Sequence, residues 1–180
     1  MEKARPVSLK EIRIRDNFWD KYRRLVREEI LKYQWCAMND QIEGAPKSHC
    51  IENFRIAAGE KQGEFYGAVF QDSDVAKWLE AVAYTLAEKP DKELKKLADS
   101  VIELIGRAQE PDGYFNTYFI LKEPGQRFRN LREGHELYTL GHMIEAAVAY
   151  KRATGEKRFL EIVQKMADLV ANTFGVEEGK

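Results

Sequence analysis

Apolar residues recur at three- and four-residue spacing along most of the chain, in two alternating styles. From Pro90 toward Gln109, Leu94, Leu97, Ala98, Val101, Leu104 and Ile105 form one stripe, while Lys92, Glu93, Lys95, Lys96, Asp99 and Glu103 cover the other side. A stripe backed by charge predicts a helix lying on the surface. From Ser73 to Glu88 the pattern differs: Val75, Ala76, Trp78, Leu79, Ala81, Val82, Ala83, Tyr84 and Leu86 run almost all round, with Lys77 and Glu80 among few charges. A helix apolar on every side predicts burial on every side.

The same two styles return. Gly134 to Tyr150 is rich in Ala, Gly and Leu and predicts a second buried helix, with Leu137, Leu140, Ile144 and Val148 as an apolar stripe. Glu156 to Phe174 predicts a second surface helix, turning Phe159, Ile162, Val163, Met166, Leu169, Val170 and Phe174 inward. Upstream, Asp16 or Asn17 can cap a helix over Phe18 to Trp35 with Phe18, Tyr22, Leu25, Val26, Ile30 and Tyr33 inward, and His49 to Ala58 forms another. Met38 to Ser48 and Gly59 to Phe70 read as loops. Ala81-Val82-Ala83-Tyr84 recurs as Ala147-Val148-Ala149-Tyr150, and Leu97-Ala98-Asp99 resembles Met166-Ala167-Asp168, so an inner-outer helix pair repeats at roughly 65 residues.

Repeated helical hairpins stack into a solenoid or close into a toroid. The expected fold is therefore all-α: helical hairpins forming about half of an (α/α)6 barrel. Residues 1–180 are expected to be the N-terminal segment of a longer toroid domain, or to associate with a second copy through exposed barrel edges.

Composition narrows the function. Twenty-nine Lys and Arg face thirty Asp and Glu, for a net charge of −1, which argues against nucleic acid as the main partner. No stretch is apolar for long enough to span a bilayer, and the start lacks the apolar core of a signal peptide. Cys36 and Cys50 stand at no metal-motif spacing, so free thiols in a reducing cytoplasm are expected.

Candidate chemistry centres on Gly134 to His142. At about 100° per residue His135, Tyr138 and His142 share one helix face, the arrangement of a lined polar pocket. The seven-residue gap is not the four-residue gap of a zincin helix, and the rise of about 10 Å is too long for both rings to bind one metal. No metal site is assembled from two cysteines and three histidines. Asp72 and Asp74 stand at the start of a buried helix, where Asp72 or Ser73 can cap it; two carboxylates exceed what capping needs, so both become candidates for binding sugar hydroxyls. Gln109 to Phe115, with Tyr118 and Phe119, reads as a turn whose aromatics could line a cavity wall. Glu52, Glu60, Glu64, Glu80, Glu136 and Glu145 are acid or base candidates, but no spacing singles out a dyad.

At this point a resemblance becomes specific. Asn17-Phe18-Trp19, Tyr33-Gln34-Trp35, Asn53-Phe54 with Ala57-Ala58-Gly59, Phe70 to Val75 with Lys77 to Glu80, the Gln109 to Tyr114 turn and the Gly134 to Ala149 helix occur in this order. The order resembles that of bacterial β-L-arabinofuranosidases of glycoside hydrolase family 127, over essentially the whole chain. The resemblance implies an (α/α)6 barrel and a retaining hydrolase acting on L-arabinofuranosyl glycans. It further implies a zinc-held cysteine thiolate as nucleophile and a glutamate as general acid, both beyond the residues present here. No catalytic residue is carried over, and Cys36 and Cys50 match neither motif. His135 matches a family histidine that contacts the sugar; Asp72, Asp74 and His142 are added as substrate contacts from the helix geometry. The expectation is thus a glycan-binding portion of a hydrolase that by itself does not cleave. A helical-hairpin scaffold for protein partners, and other toroid enzymes such as unsaturated glucuronyl hydrolases or terpenoid cyclases, are the alternatives.

Overall fold

The computed structural model describes residues 7–177 and 179. The first six residues, which carry most of the start read above for a signal peptide, lie outside them. Among the described residues all regular structure is helical.

After a single 3-10 turn at Leu9–Glu11 come α1 (Trp19–Leu25) and α2 (Leu31–Met38), joined through a π-helical stretch, Val26–Ile30, into one rod. Asp16 caps it, its Oδ1 accepting from the backbone N–H of Phe18 at 2.9 Å and of Trp19 at 2.6 Å. Then follow α3 (Cys50–Ala57), α4 (Asp72–Glu88), α5 (Lys92–Ala108), the short α6 (Thr117–Leu121), α7 (Glu136–Thr154) and α8 (Arg158–Thr173).

The inner-outer alternation is realised as two stacked hairpins. Asp91 caps α5 through Leu94 N at 3.0 Å, directly after α4, and Gly155 in the left-handed region (φ 87°) ends α7 just ahead of α8. The two inner helices pack against each other more closely than any other pair of elements among the described residues. They run parallel: their first turns meet where Lys77 lies over the Tyr138 ring, and their last turns where Tyr84 and Ala87 flank a hollow with Ala149 and Ala153. Outside them α5 and α8 pack together and are joined by Arg158 to Glu103 at 3.0 Å. The stripes of α5 and α8 point inward as their spacing predicts, Ala98, Val101, Ile105, Phe159, Ile162 and Met166 all being buried.

Three expectations are corrected, and the repeat proves inexact. The first rod turns Phe18, Tyr22, Leu25, Ile30 and Tyr33 outward, burying Leu31 and Met38 instead. Its π-turn changes the helical register, and α4 packs mainly on its C-terminal half, where the Trp78 indole donates to the Leu31 carbonyl at 3.0 Å and packs on Trp35, while the N-terminal half meets α4 through the ion pairs of Arg23 and Arg27 with Glu88. The exposed residues Trp19 and Tyr22 line, with Leu9, Ile12 and Ile14, an apolar groove of about 640 Å³. Second, α7 is not enclosed. α4 and α8 cover two sides, while Leu137, Tyr138, Gly141 and Glu145 stay exposed. The repeated tyrosines are not equivalent: Tyr150 is buried with its hydroxyl on Asp99 at 2.6 Å, whereas Tyr84 is half exposed and bonds Glu80. α5 covers the first and not the second.

Third, the aromatics after Gly113 are core rather than cavity wall. Tyr114, Phe115 and Phe119 are buried, and only Tyr118 reaches the surface. The Gln109 side chain clamps this turn, donating to both Gly113 O and Ile162 O at 2.8 Å, so the segment is fastened onto α8.

Candidate functional site

The sequence-predicted polar groups meet at the N-terminal ends of α4 and α7. His135 stands at the entry to α7 with a left-handed backbone (φ 53°), and its Nδ1 donates to the Glu133 carbonyl at 2.7 Å. Gly134 before it has no room for a side chain, since a Cβ there would lie 2.7 Å from the Asn130 carbonyl. The His135 ring packs against Phe70 (5.4 Å between centroids) and Tyr138 (5.8 Å), and Tyr138 packs edge-on against His142 (4.6 Å). His142 Nδ1 in turn faces Glu145 at 3.1 Å. The helical periodicity that placed the two imidazoles and Tyr138 on one face is thus realised, and that face is open.

α4 supplies the opposite edge. Lys77 holds its ammonium 5.3 Å from the Tyr138 centroid, 3.8 Å from Asp74 and 3.1 Å from the Ser73 hydroxyl. Asp74 is exposed and also accepts from the Gln71 amide at 3.2 Å. Phe70, His135, Tyr138, His142, Lys77 and Asp74 therefore form one continuous strip of aromatic faces and polar tips. Asp74 and Lys77 also line a cleft of about 500 Å³ with Gln34, Lys47, Ser48 and Trp78. Such an arrangement can stack the apolar face of a sugar ring while binding its hydroxyls from the edge.

Asp72 lies elsewhere. It neither caps α4 nor opens to the strip: it is buried, and its two oxygens accept from Thr117 N at 2.7 Å and Thr117 Oγ1 at 2.5 Å. Ser73 is likewise no cap. Asp72 is an anchor that fixes α6 against α4, and sequence periodicity could not separate it from Asp74 two residues on. Burial pushes its carboxyl up from 3.8 to about 6, against the lowering by the two Thr117 hydrogen bonds. Because the folded protein holds this proton more tightly than the unfolded chain, the resulting stabilisation is complete below about pH 4 and lost as pH rises through about 6. The difference of 6 − 3.8 sets its size at roughly 3 kcal/mol. Asp72→Asn, which can still accept from Thr117 N and donate to its hydroxyl, is expected to remove that component. Denaturant melts of both forms across this range should show the wild type losing stability relative to the variant; parallel curves would contradict it.

Glu136, one of the acid or base candidates, is fully buried behind the strip. It accepts from the Tyr114 hydroxyl at 2.5 Å and from Phe128 N at 2.7 Å, and burial raises its carboxyl. Arg127 lies 3.9 Å from the Tyr114 centroid and pairs with Glu110 and Asp112, closing the network. Glu52 and Glu60 are spent on ion pairs with Lys61 and Arg107, and Glu80 on the Tyr84 hydroxyl. Phe70 and Lys77 carry the family resemblance but are not among the substrate contacts expected from sequence. An acid and a lysine three apart at a helix start, after an aromatic, is the signal that could have found them.

The family model described as β-L-arabinofuranosidase, GH127 catalytic domain, matches residues 11–180. The chain belongs to glycoside hydrolase family 127. It is similar to the non-reducing end β-L-arabinofuranosidase of Bifidobacterium longum subsp. longum, 45% identical across 94% of this chain and 28% of that protein. A GH127 β-L-arabinofuranosidase from Geobacillus stearothermophilus T6 superposes with a TM-score of 0.92 and 64% identity, over 93% of this chain and 26% of that one. A further GH127 β-arabinofuranosidase gives a TM-score of 0.86 at 35% identity, over 97% of this chain and 28% of that one. The chain thus spans about a quarter of the length of these relatives. Its all-helical stacked hairpins are part of the helical barrel of GH127 enzymes.

The zinc that the family resemblance implies finds no ligand set here. Among the described residues no three His, Cys, Asp or Glu side chains gather at metal-binding distance. Cys50 is buried, with its thiol pushed up to about 11 mainly by that burial, and Cys36 is unpaired. Cys50 is thus held as the protonated thiol. None of the helices is long and apolar enough to cross a membrane, among the described residues.

Proposed function

We propose that this chain provides the substrate-holding part of a β-L-arabinofuranosidase, positioning a terminal L-arabinofuranosyl unit of a glycan within an (α/α)6 barrel. The observation that carries the reading is the strip at the N-terminal ends of α4 and α7, where His135, Tyr138, His142 and Asp74 stand together beside Phe70. In this reading Phe70 and Tyr138 pack on the carbon face of the sugar ring. The Nδ1 proton of His135 is committed to Glu133, so the Nε2 lone pair of the neutral ring accepts from a sugar hydroxyl. Asp74 accepts from a second hydroxyl, and Lys77 holds Asp74 in place while donating to ring oxygens.

These groups bind and orient; they do not break the glycosidic bond. The thiolate nucleophile, the acid and the zinc implied by the resemblance belong to the family's remaining length. The unpaired Cys36 and Cys50 support a reducing, cytoplasmic setting as part of the same proposal.

The test is hydrolysis by the full-length protein of matched aryl glycosides. Release from the β-L-arabinofuranoside, with little from the α-L-arabinofuranoside or the β-D-xyloside, is expected. No release with zinc supplied would overturn the reading.

A further inference from the structure

The third histidine, His49, lies outside the strip, yet its surroundings repeat those of His135 in three independent respects. Both residues start a helix with a left-handed backbone, φ 56° at His49 ahead of α3 and 53° at His135 ahead of α7. Non-glycine residues adopt this region rarely, and only Asp40 and Phe128 join them among the described residues. Both rings turn Nδ1 toward an oxygen that only accepts: the Glu133 carbonyl, hydrogen-bonded at 2.7 Å, for His135, and the Asp40 carboxylate, 2.8 Å away but outside hydrogen-bond geometry, for His49. At His135 that bond puts the proton of the neutral ring on Nδ1 and leaves Nε2 as the acceptor. Both rings lie against an exposed aromatic of one short loop, His49 on Tyr66 at 4.8 Å and His135 on Phe70 at 5.4 Å.

Asp40 is committed to this arrangement. Its Oδ1 accepts from Ser48 N at 2.6 Å and His49 N at 3.0 Å while Oδ2 lies 2.8 Å from the ring Nδ1. Ser48 is joined to the start of α4 through the Gln71 amide, which reaches the Ser48 hydroxyl at 3.3 Å and Asp74 at 3.2 Å. The His49 side chain keeps a quarter of its surface open to solvent. Stability alone would be served better by a residue at ease with this backbone than by a part-exposed imidazole whose buried Nδ1 goes without a hydrogen bond.

We propose that His49 is a second imidazole of the same sugar site, presenting Nε2 to a hydroxyl of the bound sugar across the Tyr66–Phe70 loop from His135. The proposal rests on the sugar-site reading above. Asp40 is then a positioning residue, fixing the backbone at Ser48 and His49 from which the ring projects.

Two measurements on the full-length protein test it. In the wild type, diethyl pyrocarbonate acylates open Nε2 atoms, and peptide mass spectrometry reads His49 and His135 separately with and without saturating L-arabinose. Protection of both, several-fold or more, is expected. Protection of His135 without His49 would overturn this inference and leave the sugar-site reading standing; protection of neither, with no arabinofuranosidase activity, would bring down both. Alongside it, His49→Asn keeps a side chain that tolerates the left-handed backbone and removes the imidazole. It should raise KM about tenfold, with a smaller change in kcat and an unaltered melting temperature, by analogy with the loss of one hydrogen bond to substrate. Unchanged KM in the folded variant would overturn the proposal, and if the variant fails to fold, the protection pattern of the wild type decides.

Discussion

In the full-length protein, His135→Asn is expected to lower kcat/KM on an aryl β-L-arabinofuranoside by about 100-fold while moving the melting temperature by no more than a few degrees. Asparagine suits the left-handed backbone at this position, so the substitution isolates the imidazole from the strain that alanine would add. Little stability is at stake, because the ring is partly exposed and its one hydrogen bond is a local one to the Glu133 carbonyl. The kinetic loss is expected to be large because the ring is held before substrate arrives, by that hydrogen bond on one side and by Phe70 and Tyr138 on the others. Steady-state kinetics with a thermal melt on the same preparation measure both halves. Unaltered kinetics would remove His135 from the site, and a collapsed melt would make it an architectural residue.

The largest stability effect is expected at Gly113. Its φ of 93° lies where side-chain-bearing residues are strained, and a Cβ built there would sit 2.7 Å from the Lys165 carbonyl oxygen. Backbone of α8 is on the other side of that contact, so the clash cannot be relieved by turning a flexible side chain. Gly113→Ala should therefore cost about 2 to 4 kcal/mol, the strain of the left-handed residue added to the cost of forcing α8 away. Gly155 provides the control: its φ of 87° is similar, but a Cβ there meets nothing within 4 Å. Gly155→Ala should cost only about 1 to 2 kcal/mol. Equal losses in chemical denaturation would show that backbone strain, not the approach to α8, governs both positions.

The two glycines illustrate how legibility varied along the chain. Asp112-Gly113 is readable as a turn because the residue types themselves favour it. That the turn is pressed against α8, and that Tyr114 and Phe115 continue inward, depends on contacts across about fifty residues, as the Gln109 bond to Ile162 illustrates. The short helix α6 was missed for the same reason. Five residues are too few to show a period, and Asn116 and Asp72 organise it from outside its own sequence. Within the site, His135, Tyr138 and His142 were legible because helical periodicity alone puts them on one face. His49 gave no such sign, since a single histidine before a helix has no partner within a few residues, and Asp40 reaches it only when the loop folds back.

By itself, then, the order of residues determined the longer helices, which of the last four long ones are inner and which outer, and that the hairpin repeats. These follow from local periodicity and from the free energy of removing an apolar stripe from water, which needs no knowledge of the partner. The motif order also pointed to the right family. Tertiary structure alone decided which side of each inner helix stays open, and so which polar groups are usable. Asp72 and Asp74 differ by two positions in sequence, but one faces Thr117 in the interior and the other the Lys77 ammonium at the surface. A carboxylate's role depends on the dielectric and the donors around it, and those are supplied by segments distant in sequence.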